Sequence, residues 1–285
     1  MSVNILGYEL PITTTTKLNL SYKSLTELPE SIQSLYNLQE LYLYYNNLTS
    51  LPKSIGSLYN LQVLYLSNNK LTNVPKSIGM LFNLRKLYLH NNKLTSLPES
   101  IQSLSNLQIL ELEYNNLTIL PESIQSLSNL NFLNLSNNKL TNLPESIGSL
   151  SNLKFLQLVN NNLISLPESI QSLSNLQKLD LINNKLTNLS ESIGSLSKLK
   201  ELYLRNNNLT SLPESIQTLT KIENFVLDES SYDINNLSMD CHTLILTDID
   251  NNITNLPPIL RTLHLKHCVN VDMIKIPYGC DIIRF

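Results

Sequence analysis

The sequence is poor in several residue types, and each shortage excludes a class of protein. Its 285 residues include no Trp, no Ala, six Gly and three Cys. Three cysteines are too few for the paired disulfides that hold small secreted domains together. A formal net charge of −3 provides no basic field, so neither nucleic acid nor anionic lipid is expected as a partner.

Targeting signals are also lacking. No apolar run has the length of a membrane span, and the first residues lack the basic and apolar segments of a secretory signal. The three thiols, Cys241, Cys268 and Cys280, are odd in number and lie near one end, which favours a reducing compartment. The sequence therefore predicts a soluble, intracellular, cytoplasmic protein that does not bind membranes.

The abundant residues, chiefly Leu, Asn, Ser and Ile, recur at a fixed interval. The stretch LYLHNNKLTSLPES, residues 87–100, shows the pattern, which returns every 23 residues. A period of this size indicates a solenoid of stacked units. The central Asn of the pattern occurs at Asn46, Asn69, Asn92, Asn115, Asn138, Asn161, Asn184 and Asn207.

Each part of the unit has a predicted role. Side chains alternate along a strand, so Leu87 and Leu89 are expected to point inward and Tyr88 outward. The Asn follows the strand, where its amide can both donate and accept, and stacked Asn side chains are expected to satisfy the turns as a ladder. The following LPESI predicts a short helical or 3-10 turn, with Pro at its first position and Glu near its positive end.

Nine consecutive units, from 15–37 to 199–221, read L-x-x-L-x-L-x-x-N-x-L-x-x-L-P-x-x-I-x-x-L. This pattern resembles the 23-residue LPxxIxxL leucine-rich repeat of intracellular Ras-suppressor and Scribble-type scaffolds. The Asn and Pro of the pattern are each replaced once, the Asn by Lys23 in the first unit and the Pro by Ser190 in the eighth. The resemblance implies an α/β solenoid with a curved parallel sheet on its concave face and helical or 3-10 turns on its convex face.

The repeat boundaries also predict the domain organisation. Residues 1–14 are expected to cap the N-terminus, residues 15–221 to form the nine repeats, and residues 222–285 to form degenerate repeats and a C-terminal cap. A repeat array is stabilised by contacts between neighbouring units, so one solenoid domain is expected. The Asn, Ile, Lys and Tyr content is similar to that of proteins from giant DNA viruses or AT-rich protists.

One cluster has the composition of a zinc site: Cys241, His242, His264, His267, Cys268 and Cys280. The register argues against it, since Cys241 and Cys268 take interior positions while His264 and His267 project from the opposite face, so the side chains do not converge. No glycine-rich phosphate loop or nucleophile with a base is present either. The sequence predicts no metal, no cofactor and no enzymatic activity.

The convex face is predicted to be nearly uniform. Glu99, Glu122 and Glu145 begin successive ESI segments, and their equivalents form a row of charge that is typical of a solvated face. If that row bound a partner instead, the protein would be a structural, surface or virion component that assembles through its convex side. This is the alternative function.

The concave face varies from unit to unit and is the predicted binding site. Tyrosine is enriched at interfaces, and a contiguous apolar patch rarely occurs on a monomer without a use. The expected function is non-enzymatic binding of a protein partner, such as a GTPase or phosphatase complex, or a host protein if the source is viral. The predicted residues are Tyr42, Tyr44, Tyr65, Tyr88, His90, Ile109, Glu111, Glu113, Phe132, Phe155, Val159, Ile182, Tyr203 and Arg205.

Overall fold

The computed structural model describes residues 1–228, 243–247, 256, 260–266 and 276–284. The chain divides into two compact units, Met1–Leu140 and Thr141–Phe285. Among the described residues, no helix combines the length and the apolar composition needed to cross a membrane.

Within the first unit, an N-terminal hairpin is followed by alternating three-residue strands and 3-10 helices. The elements are β1 (Ser2–Ile5), β2 (Tyr8–Pro11), β3 (Lys17–Asn19), η1 (Glu30–Ser34), β4 (Glu40–Tyr42), η2 (Lys53–Ser57), β5 (Val63–Tyr65), η3 (Lys76–Met80), β6 (Lys86–Tyr88), η4 (Glu99–Ser103), β7 (Ile109–Glu111), η5 (Glu122–Ser126) and β8 (Phe132–Asn134).

Within the second unit, the same alternation continues and then gives way to longer strands. The elements are η6 (Glu145–Ser149), β9 (Phe155–Gln157), η7 (Glu168–Ser172), β10 (Lys178–Asp180), η8 (Glu191–Ser195), β11 (Glu201–Tyr203), η9 (Glu214–Thr218), β12 (Asn224–Asp228), β13 (Thr243–Thr247), β14 (Thr262–Lys266) and β15 (Asp281–Arg284). Strands β12 to β15 pair in parallel, each with the next, and β12 pairs with β11.

Strands pair in parallel at the repeat period, so that equivalent residues lie side by side. Leu64 of β5 pairs with Leu41 on one side and Leu87 on the other, and all three are fully buried. Tyr65, which follows Leu64, points to the opposite face and is half-buried. The parallel sheet and the 3-10 turns predicted from the repeat are therefore confirmed.

The Asn after each strand lies buried and bonds to the backbone of the preceding repeat. Asn115 Nδ2 donates to Leu89 O at 3.0 Å and to Leu112 O at 2.9 Å, while its Oδ1 accepts from Leu94 N at 3.0 Å. Asn69, Asn92 and Asn138 make the same bonds in the first unit. These residues form the Asn ladder, which pairs backbone groups that a sharp turn would otherwise leave unsatisfied.

A second row of asparagines stands where the chain enters the strands. Asn60 Nδ2 donates to Tyr36 O at 2.9 Å, and Asn83 Nδ2 donates to Tyr59 O at 2.8 Å. The other members with this bond are Asn37, Asn106, Asn129 and Asn175. Sequence reasoning missed this row, although the recurring Asn-Leu before each strand was a signal for it.

The proline of each unit was assigned to the wrong position. It precedes the 3-10 helix as its N-cap in an extended conformation, as at Pro98 with φ −72° and ψ 147°, and the Glu is the first helical residue. Pro98 O accepts from Ile101 N at 3.0 Å, which closes the turn. Where Ser190 replaces Pro, its Oγ accepts from Ser192 N at 3.2 Å, so the substituted unit gains a side-chain cap.

Some glutamates of the convex row bond to the next repeat, which the prediction of a merely solvated face did not include. Glu191 Oε1 accepts from Glu214 N at 3.1 Å and its Oε2 from Ser215 N at 2.8 Å. Glu30 and Glu145 accept in the same way from Ser54 N and Ser169 N. These hydrogen bonds hold the pKa of all three carboxyls below the ordinary value.

We predict that Glu191→Gln lowers the thermal midpoint modestly at pH 7. Because the pKa of Glu191 is lower in the folded chain than its ordinary 4.5, its stabilisation is present above that value and is lost as pH falls through the folded pKa. The deficit of the variant should therefore disappear in strong acid. Thermal melts across pH test this, and a deficit that persists unchanged in acid would contradict it.

Glu99→Gln is the matched control. Glu99 occupies the equivalent position, but among the described residues its carboxylate has no hydrogen bond or ion pair. Its replacement should leave the midpoint unchanged at every pH.

Four glycines allow neighbouring 3-10 helices to approach closely. A Cβ built on Gly79 would lie 2.4 Å from Ser100 O and 2.9 Å from Ser100 Cβ, and one on Gly148 would lie 2.4 Å from Ser169 O. Real Cβ atoms do not approach a carbonyl oxygen this closely. Because these glycines have no side chain, each of their 3-10 helices can lie close to the 3-10 helix of the next repeat.

Candidate functional site

Side chains just before, between and just after the strand leucines, such as Val63, Tyr65 and Ser67, form a surface called here the strand face. All predicted binding residues lie on it and are half-buried. In the first unit these are Tyr42, Tyr44, Tyr65, Tyr88, His90, Ile109, Glu111, Glu113 and Phe132. In the second unit they are Phe155, Val159, Ile182, Tyr203 and Arg205.

Three tyrosines at equivalent positions of β4, β5 and β6 stack on one another. The ring centroids of Tyr42 and Tyr65 are 5.0 Å apart with an interplanar angle of 12°, and those of Tyr65 and Tyr88 are 4.1 Å apart at 3°. Burial raises the pKa of Tyr88 far above its ordinary value, and a hydrogen bond with Tyr65 adds to the shift. The Tyr88 hydroxyl therefore stays protonated over the physiological range.

Three further tyrosines extend this stack. Tyr22 and Tyr45 stack at 4.7 Å and 10°, and Tyr44 meets Tyr22 edge-on at 5.4 Å. Tyr44 also meets the rings of Tyr42 and Tyr65 edge-on, at 6.4 and 6.2 Å, so it joins the two stacks. The tyrosine cluster comprises Tyr22, Tyr42, Tyr44, Tyr45, Tyr65 and Tyr88. Tyr22 was absent from the prediction, although it lies 23 residues before Tyr45.

Two members of the cluster occupy backbone positions that suit asparagine better. Tyr22 and Tyr45 have φ of 58° and 53°, in the left-handed region, where six other repeats carry Asn, such as Asn68 and Asn91 at 55° and 54°, and one carries Tyr114 at 53°. Asn tolerates this conformation more readily than bulky residues do. The two rings are nevertheless exposed, Tyr22 by 66%. Packing in the core therefore does not explain why tyrosine occupies this strained backbone position.

A paired charge lies beside the cluster. Lys17 Nζ is 3.0 Å from Glu40 Oε2 and 4.9 Å from the Tyr42 ring centroid, and the Tyr42 hydroxyl donates to the same Glu40 oxygen at 2.5 Å. The hydrogen bonds from Tyr42 and Lys17 lower the pKa of Glu40, and the bond to Glu40 raises the pKa of Tyr42. The tyrosine cluster therefore lies next to the ion pair of Lys17 and Glu40, whose two charges neutralise each other.

The acidic residues predicted for binding are engaged within the protein. His90 Nδ1 lies 3.2 Å from Glu111 Oε2. Glu113 accepts from Asn134 Nδ2 at 3.2 Å and from Asn137 Nδ2 at 3.3 Å. The two bonds to Glu113 come from the next repeat, so Glu113 is engaged within the protein, whereas the Glu111 contact is an ion pair only when His90 is protonated.

The apolar residues of the predicted site are partly covered by their neighbours. Ile109 and Phe132 lie side by side in the paired strands β7 and β8, and both are half-buried. Phe155, in the second unit, is half-buried too. Strands about 4.8 Å apart bring side chains of one column close enough to cover each other's flanks.

In the second unit the strand face carries a charged cluster. Lys178 Nζ is 3.1 Å from Glu201 Oε2 and 4.6 Å from the Tyr203 ring centroid, while the Tyr203 hydroxyl donates to Glu201 Oε2 at 2.9 Å. Burial raises the pKa of Asp180, against the lowering effects of the Ile182 amide and of Lys178. This cluster satisfies its own charges and differs in character from the tyrosine cluster.

Of the six residues weighed as a zinc site, only His264 and Cys280 fall among the described residues. Cys241, His242, His267 and Cys268 lie outside them. The prediction that these thiols and imidazoles are structural therefore stays a prediction.

Comparisons with known proteins agree with the geometry. The family model described as a leucine-rich repeat region matches residues 72–153 and 141–244, and a second one, leucine rich repeat, matches residues 13–71. No curated protein matches the chain. A leucine-rich repeat protein of Leptospira interrogans is 33% identical, with a TM-score of 0.76, over 95% of this chain and 78% of that one.

Two other solved structures place the fold in different contexts. The ectodomain of the Arabidopsis thaliana receptor kinase GASSHO1/SCHENGEN3, solved in complex with CASPARIAN STRIP INTEGRITY FACTOR 2, is 28% identical with a TM-score of 0.72, over 95% of this chain and 35% of that one. An internalin of Listeria monocytogenes shares the fold at 23% identity and a TM-score of 0.68, over 96% of this chain and 88% of that one. By its repeats, its fold and these matches, the chain belongs to the leucine-rich repeat family.

Proposed function

We propose that the chain is a non-enzymatic protein-interaction module that binds a protein partner through the tyrosine cluster of its strand face. The observation that supports this most is the cluster itself, in which five rings stack and a sixth, Tyr44, joins them edge-on. Stacked rings form a rigid, amphipathic surface that loses little conformational freedom on binding. Aromatic residues of this kind dominate binding energy at protein interfaces.

The strained backbone of Tyr22 and Tyr45 supports this proposal. Asparagine fills the same left-handed position in six other repeats and tyrosine in one, at Tyr114, and neither the Tyr22 nor the Tyr45 ring is needed for the core. An exposed residue that is retained against its backbone preference is more readily explained by binding than by stability. The related plant receptor ectodomain, which was solved with a bound factor, offers a precedent for recognition by this fold.

The class of partner is inferred from the chemistry of the tyrosine cluster and from the resemblance to Ras-suppressor and Scribble-type repeats. The cluster offers apolar ring faces with neutral hydroxyl donors, and its charges are already paired, so a protein surface with apolar side chains and backbone carbonyls fits it best. A GTPase or phosphatase complex is the proposed partner, or a host protein if the source is viral. Intracellular location is part of the proposal and rests on the small number of cysteines.

The test combines Tyr65→Asn with Tyr88→Asn in one variant. Asn occupies the equivalent position at Asn19 and Asn134, where its Oδ1 accepts from the backbone two residues on, so the repeat accommodates this change. With a partner captured from a lysate of the source organism, identified and purified, titration should give an affinity at least about tenfold weaker, since hot-spot losses exceed 1.4 kcal/mol. The thermal midpoint should change little.

Glu99→Lys on the convex side is the control and should bind as the native chain does. The opposite outcome, in which Glu99→Lys abolishes binding and the double Tyr variant binds normally, would reject the strand face. It would favour the alternative of a structural or surface component that assembles through its convex side.

A further inference from the structure

A second aromatic row lies outside the strand face, at the turns that lead into β4, β5 and β6. Tyr36, Tyr59 and Phe82 are exposed by 45, 43 and 49%, and the rings of Tyr59 and Phe82 stack at 6.2 Å and 18°. The remaining repeats carry a small hydroxyl residue here: Ser105, Ser128, Ser151, Ser174, Ser197 and Thr220. The row is therefore a local departure from the repeat and contributes nothing to its core.

Met80 adds to this row. It is 49% exposed and stands where the first unit otherwise has Ser, as at Ser57 and Ser103. Its Sδ lies next to Gly56, where an added Cβ would be 3.1 Å from it. Four large apolar side chains on adjacent turns form an exposed patch of a kind that usually marks a binding surface.

A polar groove of about 360 Å³ borders the aromatic row. Its lining residues are Gln39, Asn60, Gln62, Asn83, Arg85 and Asn106. The groove and the row are adjacent, because the lining residues Asn60 and Asn83 directly follow Tyr59 and Phe82 in the chain. One ligand can therefore contact both.

The groove carries one positive charge, that of Arg85, and no negative one. The groove lining includes no acidic residue, and the exposed Arg85 side chain has no hydrogen bond or ion pair among the described residues. Of the three repeats that line the groove, the second and third of the chain carry Lys53 and Lys76 where the fourth carries Glu99. A guanidinium fork binds carboxylates with two parallel hydrogen bonds, and side-chain amides bind peptide backbone groups.

We propose that this surface binds a short extended peptide in which a carboxylate side chain is next to an aromatic or aliphatic one. Arg85 would take the carboxylate, the side-chain amides of Gln39 and Gln62 the peptide backbone, and the row of Tyr36, Tyr59 and Phe82 the apolar side chain. The repeats bearing the lining residues are about 4.8 Å apart, so the groove suits roughly four extended residues. This binding is independent of the tyrosine cluster, which uses other residues on another face.

The test is selection of random dodecapeptides displayed on phage against the full chain. Enriched sequences should contain Asp or Glu beside an aromatic or aliphatic residue. Synthetic copies should bind at least tenfold more weakly to Arg85→Gln and to Tyr59→Ser/Phe82→Ser. Each variant introduces a residue that the equivalent position of another repeat already carries. For Arg85→Gln these are Gln62 and Gln108, and for the double variant it is Ser105, so folding should be kept.

The variant Tyr65→Asn/Tyr88→Asn is the control for location and should bind the peptides normally. The proposal is wrong if no peptide is enriched, if the enriched peptides lack a carboxylate, or if the strand-face variant loses them and the groove variants do not. It is also wrong if a labelled oligouridylate binds more tightly than the peptides and through Arg85, because the groove would then be a nucleic-acid site. Failure here leaves the tyrosine cluster and its partner unaffected.

Discussion

Asn115→Ala is expected to lower the free energy of unfolding by about 3 kcal/mol, since each buried backbone group left without a partner costs about 1–3 kcal/mol. The substitution removes the acceptor of Leu94 N and the donor to Leu89 O and Leu112 O. Asn115 is buried, so water cannot replace these bonds without opening the turn. Urea unfolding followed by circular dichroism measures the loss.

Asn116→Ala, one residue further, is the matched control. The Asn116 side chain is half-buried and, within the described residues, makes no hydrogen bond, while its backbone N donates to Leu94 O at 2.8 Å and would be unchanged. A change within about 0.5 kcal/mol is expected. Equal losses for the two variants would mean that the Asn ladder does not stabilise the chain as the hydrogen bonds indicate.

Gly79→Ala is expected to destabilise the chain by about 1–3 kcal/mol, the range for forcing an extra carbon into packed structure. The new Cβ would lie 2.4 Å from Ser100 O, and a backbone atom cannot move aside as a flexible side chain does. The neighbouring turns η3 and η4 would have to separate. The expected signature is a lower urea midpoint.

Gln102→Ala at the equivalent position of the next repeat provides the comparison. Residue 102 already has a Cβ, and its side chain is exposed, so its removal should change stability by less than about 0.5 kcal/mol. If Gly79→Ala were as mild as Gln102→Ala, the spacing of the turns would not depend on glycine.

The repeating frame could be predicted because the same constraint acts in every unit. A leucine at the wrong position of one repeat would leave a gap against both neighbours, so the sequence must keep Leu41, Leu64 and Leu87 in register. The turn conformation was harder to predict. Pro98 suits both the first helical position and the one before it, and only its ψ of 147° distinguishes them.

The residues of the strand face could be predicted because side chains alternate between the two faces of a strand. The hydrogen bonds between those side chains could not be predicted. Which oxygen Tyr42 reaches, or whether Glu113 meets Asn134 and Asn137, depends on side-chain rotamers and on contacts between repeats that a single unit does not specify. The aromatic row at the turns before β4, β5 and β6 was missed for a different reason. Averaging the repeats into one pattern hid Tyr36, Tyr59 and Phe82, which differ from that average.

The bonds of the Asn ladder also bear on how such a chain can change in length. In the first unit, Asn69, Asn92 and Asn115 each bond only to backbone groups of their own repeat and of the preceding one. Duplication or deletion of a whole 23-residue segment recreates every one of these bonds at the new junction, whereas any other length leaves one Asn opposite the wrong carbonyl. Growth and shrinkage of the gene in multiples of 69 nucleotides is therefore structurally neutral, and natural length variants should differ by whole repeats.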